Sequence, residues 1–255
     1  SGPMMYVYGI FGSGFGLLLA SFLVKKMKDF SNFGTITEYL ETRYNSKFLR
    51  SASAFLSMVA LIALVGSQVG AAVGIMNALG MKNTTIAALF ACIVIIALTS
   101  MGGLMAVTVT DGFQIILVMV GVVWITVAAL GDIGGLSGLN ASLTAIQSEL
   151  PEGYNVFMDS EKFKSLLWMI LPGLMYIMIG QDIYQRLFAC KDHKTAIKAS
   201  VCSAVLVCIV SVMPVTLGLI ARVKHPELAT AGTSAAAFAT IAMSTLPGWA
   251  VGIII

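Results

Sequence analysis

Charge is what this sequence has least of. Only 11% of its 255 residues are Asp, Glu, Lys or Arg, and 58% are hydrophobic; a soluble domain carries about 25% charged residues. With a mean hydropathy of +0.93, this excludes a soluble domain of this length, so the solvent for most of the chain is lipid. Cysteine is scarce too: Cys92, Cys190, Cys202 and Cys208 form no CxxC or Cys/His spacing, which argues against a disulfide framework or a zinc site and reads as packing. The two histidines, His193 and His225, fall in expected loops, away from any carboxylate or cysteine cluster. Basic residues are few and not interleaved with aromatics, so no nucleic-acid surface is indicated. Nucleophile elbow, HExxH, Walker A and dinucleotide fingerprints are all missing, so neither an enzyme nor an ATP-driven pump is supported and no organic cofactor is implied.

What the chain does contain is a series of apolar runs near the length of about 20 residues that spans a bilayer as a helix. They predict one transmembrane domain over residues 1–255 with six complete spans: about Met4 to Val24, Ala52 to Leu79, Thr84 to Leu98, Leu104 to Leu130, Leu166 to Phe188 and Ala199 to Ala221. A seventh opens at Pro247-Gly248-Trp249, and both ends read as cut from a longer chain. Gly102-Gly103 is expected to break the third span from the fourth, and Asp132 to Lys164 to form the longest loop. Ala229 to Leu246 reads as a re-entrant or surface helix. Thr35-Ile36-Thr37-Glu38 is a capping-box pattern opening a short surface helix through Tyr44. Ten of the fifteen Lys and Arg residues lie in the loops after the first and fifth spans or, for Arg186, at the very end of the fifth span, which places those loops in the cytoplasm of a multi-pass cell-membrane protein.

Four places depart from a plain lipid-facing pattern. Asp111 sits in the polar island Val107-Thr108-Val109-Thr110-Asp111-Gly112-Phe113-Gln114. A carboxylate at this depth is costly; it either faces a water-filled path or caps a helix opened by Gly102-Gly103. Pro172-Gly173, with Tyr176, marks either a broken helix whose freed carbonyls face a solute or an ordinary proline kink, and Pro214 has the same ambiguity. Gln68, on a Gly66/Gly70/Gly74 background, is interhelical glue or a ligand. Asn83-Thr84-Thr85 and Asn140-Ala141-Ser142 are outward-facing sequons, a pattern too short to argue glycosylation.

Three segments together resemble the sodium:solute symporter family. Thr35 to Tyr44 resembles its T-[IL]-P-E-[FY]-L-x-x-R-[FY] stretch, with Thr37 in place of proline. Gly102 to Gln114 resembles GGxxAVxxTDxxQ, and Gly180 to Asp192 resembles xQxxxQRxxAxK. The resemblance implies an all-α, leucine-transporter-type inverted-repeat bundle, truncated at both ends, with the chain covering roughly core helices two to seven and the start of eight. It further implies symport of a small-molecule solute with sodium as the coupling ion, within membrane lipid and with no protein partner implied. Asp111 then matches the aspartate of the sodium pathway, and the main sodium site is expected outside this chain. Tyr176 matches the aromatic that closes over the sugar in the sugar-transporting branch. Gly173 stands where that branch has a sugar-binding asparagine and Ile177 where it has an indole, so a sugar is not the expected solute. The same membrane module also occurs joined to signalling domains, which leaves a sensor as the alternative.

Overall fold

The computed structural model describes residues 3–27, 33–150, 160–229 and 236–255, and among these residues there is no β-strand. The helices are α1 (Met5–Lys26), α2 (Ile36–Tyr44), α3 (Lys47–Ala78), α4 (Thr84–Asp132), α5 (Gly135–Ala145), α6 (Ser160–Ile179), α7 (Gln181–Phe188), α8 (His193–Lys224), α9 (Ala237–Thr245) and α10 (Gly248–Ile254). Short 3-10 turns occupy Gln147–Glu149 and Pro226–Ala229. Five segments are long and apolar enough to cross a membrane: Met5–Lys26, Lys47–Ala78, Val109–Asp132, Phe163–Phe188 and His193–Lys224. Thr84–Ala97 is a further, shorter apolar stretch, close to the bounds of the third expected span.

Helix starts follow local chemistry. The Thr35 side chain accepts a hydrogen bond from the Glu38 N–H at 3.2 Å, as a capping box requires, but the Glu38 carboxylate reaches back to the Gly34 N–H rather than to Thr35. Asn83 caps α4 by accepting from the Thr85 and Ile86 N–H groups, so this sequon asparagine has a structural task. Ser46 accepts from the Leu49 N–H where α3 begins.

Three expectations are corrected. The break at Gly102-Gly103 is absent: α4 continues through it for 49 residues. Glycine costs a helix only about 1 kcal/mol per residue, and with no proline nearby two glycines do not stop it. At 1.5 Å per residue α4 is about 74 Å long, more than twice the hydrocarbon thickness, so its two apolar stretches cannot share one crossing. The expected loop after Asp132 holds α5, entered through Gly134 and Gly135, whose φ values of 84° and 74° suit only glycine. Leu139 and Leu143, one helical turn apart, are buried on it. Part of that loop, 151–159, lies outside the described residues, as does 230–235 of the expected re-entrant helix; the rest of the latter forms α9, nine residues and too short to span. Finally, the fifth expected span, Leu166 to Phe188, is interrupted at Gly180; of the two readings left open for Pro172-Gly173, the broken helix falls, since α6 continues through it.

The chain divides into two compact units, Ser1–Ala63 with Val156–Val212, and Leu64–Asn155 with Met213–Ile255. In the first, α1 packs through its glycines. A six-residue π-helical stretch, Gly9–Gly14, buries Gly9, Gly12 and Gly14; such single-turn widenings recur at functional sites. Gly12 lies against Gly173 and Gly16 against Ile177 of α6, both pairs four residues apart on each helix, which lets the two helices run closely together. Towards α8, a Cβ at Gly9 would lie 2.7 Å from the Ser211 Cβ. Ser200 donates to the Leu17 carbonyl at 2.8 Å.

The second unit is built on α4. Ile125 and Ala129 are fully buried, Gly121 lies under the Ile254 side chain of α10, and Trp124 meets Trp249 with ring centroids 5.8 Å apart. Lys224, at the end of α8, pairs with Asp132, at the end of α4, at 3.2 Å.

Candidate functional site

The first unit contains a cavity of about 420 Å³ beside the α6/α7 interruption, at the end of α1 marked by Lys26. Tyr176, Gly180, Gln181 and Tyr184 form one wall, and Ser53, Ser57 and Ala60 of α3 another. The volume suits a small organic molecule, and the lining is mostly apolar with a few hydroxyls, one amide and Lys26.

The interruption itself is local. Gly180 adopts φ −62° and ψ 122°, an extended conformation between two helices. Its N–H still donates to the Tyr176 carbonyl at 2.6 Å, and its own carbonyl accepts from the Ile183 and Tyr184 N–H groups at 3.2 Å, starting α7 anew. A Cβ at this position would lie 2.7 Å from the Tyr176 carbonyl oxygen, so only glycine fits without a shift.

Two side-chain bonds fasten the break. The Tyr176 hydroxyl donates to Asp182 Oδ1 at 2.9 Å, from the last turn of α6 to the first turn of α7. Gln181 Oε1 accepts the Ile36 backbone N–H at 3.1 Å, tying the start of α2 to the start of α7. That bond satisfies one of the N–H groups a helix start leaves unpaired. Beneath it lies an apolar cluster of Val24, Met27, Ile36, Tyr184, Leu187 and Phe188; Tyr184 is 1% exposed and stacks obliquely on Phe188 at 5.8 Å.

Of the residues singled out from sequence, Gly173, Tyr176 and Ile177 lie together on α6, but only Tyr176 lines the cavity. Gly173 and Ile177 face α1: a Cβ at Gly173 would lie 3.5 Å from the Gly12 carbonyl oxygen, and Ile177 covers Gly16. Asp111 and Gln68 belong to the second unit. Asp111 is partly buried inside the unbroken α4. A cap must sit at a helix start, so the capping alternative for Asp111 falls and the cap of α4 is Asn83. Gln68 is exposed, and a side chain added at Gly66 or Gly70 would meet nothing within 4 Å; of the three glycines expected to pack closely, Gly74 is the buried one. Gly180, Gln181 and Asp182 were given no role from sequence. The available signal was a glycine followed by two polar residues directly after an apolar run.

A sequence model of the sodium:solute symporter family matches residues 3–255. A sodium/glucose cotransporter of Vibrio parahaemolyticus is 29% identical over 218 residues, which cover 76% of this chain and 38% of that relative. The chain thus spans well under half the length of the curated relative it matches. No solved structure matches it.

Proposed function

Because the chain belongs to the sodium:solute symporter family, we propose that the whole protein is a carrier rather than an enzyme. It moves a small organic solute inward across the cell membrane together with sodium. The observation that carries this reading is the family match over nearly all of the chain. The cavity beside the helix interruption supports it, since broken helices give carriers both a binding surface and a hinge.

The relative named above is a sodium/glucose cotransporter, yet the residues here favour another solute class. A sugar presents several hydroxyls, and each needs a partner when it is taken out of water. Gly173 offers no side chain and packs on α1, and the Tyr176 hydroxyl is engaged by Asp182. An amino acid, a carboxylate or a quaternary amine, with fewer polar groups to satisfy, fits this wall better. Asp111, a carboxylate within α4, is the residue of this chain assigned to the sodium path.

The test is uptake by the full-length protein in liposomes, using labelled sugars, amino acids, carboxylates and quaternary amines. Uptake of a non-sugar solute only with an inward sodium gradient is expected; equal uptake in potassium would sink the coupling, and sugar uptake alone would sink the solute class. Asp111→Asn is expected to weaken the sodium dependence by about tenfold or more, equivalent to at least 1.4 kcal/mol. An unchanged sodium affinity removes Asp111 from the path.

A further inference from the structure

We propose that Asp182 is the positioning residue that holds the Tyr176 ring in the cavity wall, its carboxylate bonding the phenol across the interruption at Gly180. This rests on the carrier reading of the cavity. Tyr176, Gly180 and Gln181 line the cavity, whereas Asp182 does not, so Asp182 acts on a solute only through Tyr176.

The reasoning begins with the backbone. An unbroken helix fixes the direction of every side chain on it, but at Gly180 that continuity is lost and one extended residue joins α6 to α7. Rotation at such a junction swings one helix relative to the other, unless something bridges it. The bond from Tyr176 Oη to Asp182 Oδ1, at 2.9 Å, is such a bridge, with its two residues on opposite sides of the glycine. A phenol donating to a carboxylate makes a charge-assisted bond, stronger than a neutral one. The glycine is part of the device: a Cβ there would lie 3.0 Å from the same Asp182 oxygen and 2.7 Å from the Tyr176 carbonyl. The second fastening, Gln181 to the Ile36 N–H, anchors the start of α7 to α2, so the swing is borne by the Tyr176 side of the break.

The competing role for Asp182 is as an acidic residue in the first turn of α7, favoured there by the helix dipole. The two roles make different demands on Tyr176. A dipole partner is indifferent to the loss of the Tyr176 hydroxyl; a bridge is not.

The experiment uses the full-length protein in liposomes, with Ser57→Cys placed in the opposite cavity wall and the other cysteines replaced. The rate of labelling by a small maleimide reads how readily the cavity opens. If the bond is worth what hydrogen bonds to charged groups contribute, Asp182→Ala raises the rate about tenfold or more. Tyr176→Phe raises it equally, and the double variant no further. Asp182→Asn, which keeps a neutral acceptor, falls between parent and Asp182→Ala. Labelling within about twofold of the parent in Tyr176→Phe overturns the proposal, as do single effects that multiply in the double variant. Should Asp182→Ala not fold, Tyr176→Phe decides alone. The labelling needs neither sodium nor solute, so a failure of uptake would count against the carrier reading and leave this result standing.

Discussion

In the first unit side-chain hydrogen bonds join elements far apart in the chain: Gln181 to Ile36 and Ser200 to Leu17. In the second, the contacts of α4 with α10 are apolar, with the Trp124–Trp249 and Gly121–Ile254 pairs at their centre, and the long-range polar bond between Lys224 and Asp132 lies at helix ends. The difference follows from the backbone. Where a helix breaks or starts, N–H and C=O groups lose their partners and something must replace them, most of all in a low-dielectric setting. An unbroken helix such as α4 satisfies itself and needs only shape from its neighbours. The Gln181–Ile36 bond is therefore a signpost to the interruption, where the cavity lies, whereas Ser200–Leu17 ties together two unbroken helices.

The largest expected effect tests whether the first unit is as firmly packed as its fastening suggests. Tyr184 is fully buried under the interruption, and Tyr184→Ala is expected to cost about 3–5 kcal/mol through the cavity it leaves. Leu139→Ala, on the amphipathic α5 of the second unit, is expected to cost about 2–4 kcal/mol. Unfolding of the full-length protein in mild detergent measures both. A larger loss at Leu139 than at Tyr184 would reverse the comparison and make the second unit the better-packed one.

What the sequence made legible divides along the same line. The hydrophobic runs and the Thr35 and Asp111 motifs led to the family and to an all-helical membrane protein, because span length and local capping are written in consecutive residues. Tyr176, singled out beside Pro172-Gly173 and by its match to a family aromatic, lines the cavity. Misread were the places where glycine decides by context. Gly102-Gly103 looked like a break and is helical, while Gly180 looked like helix and is the break. A glycine permits an extended residue without requiring it; the requirement at Gly180 comes from Gln181 and Asp182, whose partners Ile36 and Tyr176 are visible only once the chain is folded. The α5 helix was missed for a related reason. It was read within the longer stretch Asp132 to Lys164, rich in Gly and acids, although Gly135–Ala145 itself carries no charge, and the burial of Leu139 and Leu143 shows which face is covered.

Glycine substitutions sharpen the comparison further, with an intermediate effect and opposite signs. At Gly9, in the first unit, a new Cβ would lie 2.7 Å from the Ser211 Cβ, which cannot rotate away. Gly9→Ala is expected to cost about 1–3 kcal/mol, as overpacking does, and Ser211→Gly should restore part of it. At Gly70, on α3 in the second unit, a Cβ meets nothing within 4 Å. Gly70→Ala should therefore be neutral or stabilise by up to about 1 kcal/mol, the helix-propensity gain of alanine. Thermal inactivation in detergent reads both, and equal losses at the two positions would mean that Gly70 has a close neighbour.

The smallest effect concerns the two ends of α8, one in each unit. At its start, the Thr195 N–H donates to Asp192 Oδ1 at 2.7 Å; this bond, with lesser help from the Thr195 side chain and the nearby Lys194 and His193 charges, holds the Asp192 carboxyl below its ordinary value. Beyond its end, Glu227 is lowered as well, first by its own backbone N–H and then by His225 at 3.1 Å. A carboxyl depressed in the folded state binds fewer protons than in the unfolded one, so its contribution is complete above the ordinary value of 3.8 for Asp192 and is lost as pH falls through the depressed value. Between pH 7 and pH 5 titration of Asp192 should consequently leave the unfolding midpoint unchanged. Asp192→Asn keeps an acceptor for the Thr195 N–H while removing the titration, so its midpoint should lie slightly below the parent's at neutral pH and meet it in acid. The dependence should weaken in Asp192→Asn, with the share from Glu227 remaining, and Glu227→Gln should leave the share from Asp192. A parent and an Asp192→Asn variant that differ equally at every pH would show that the cap of α8 works by shape rather than by charge.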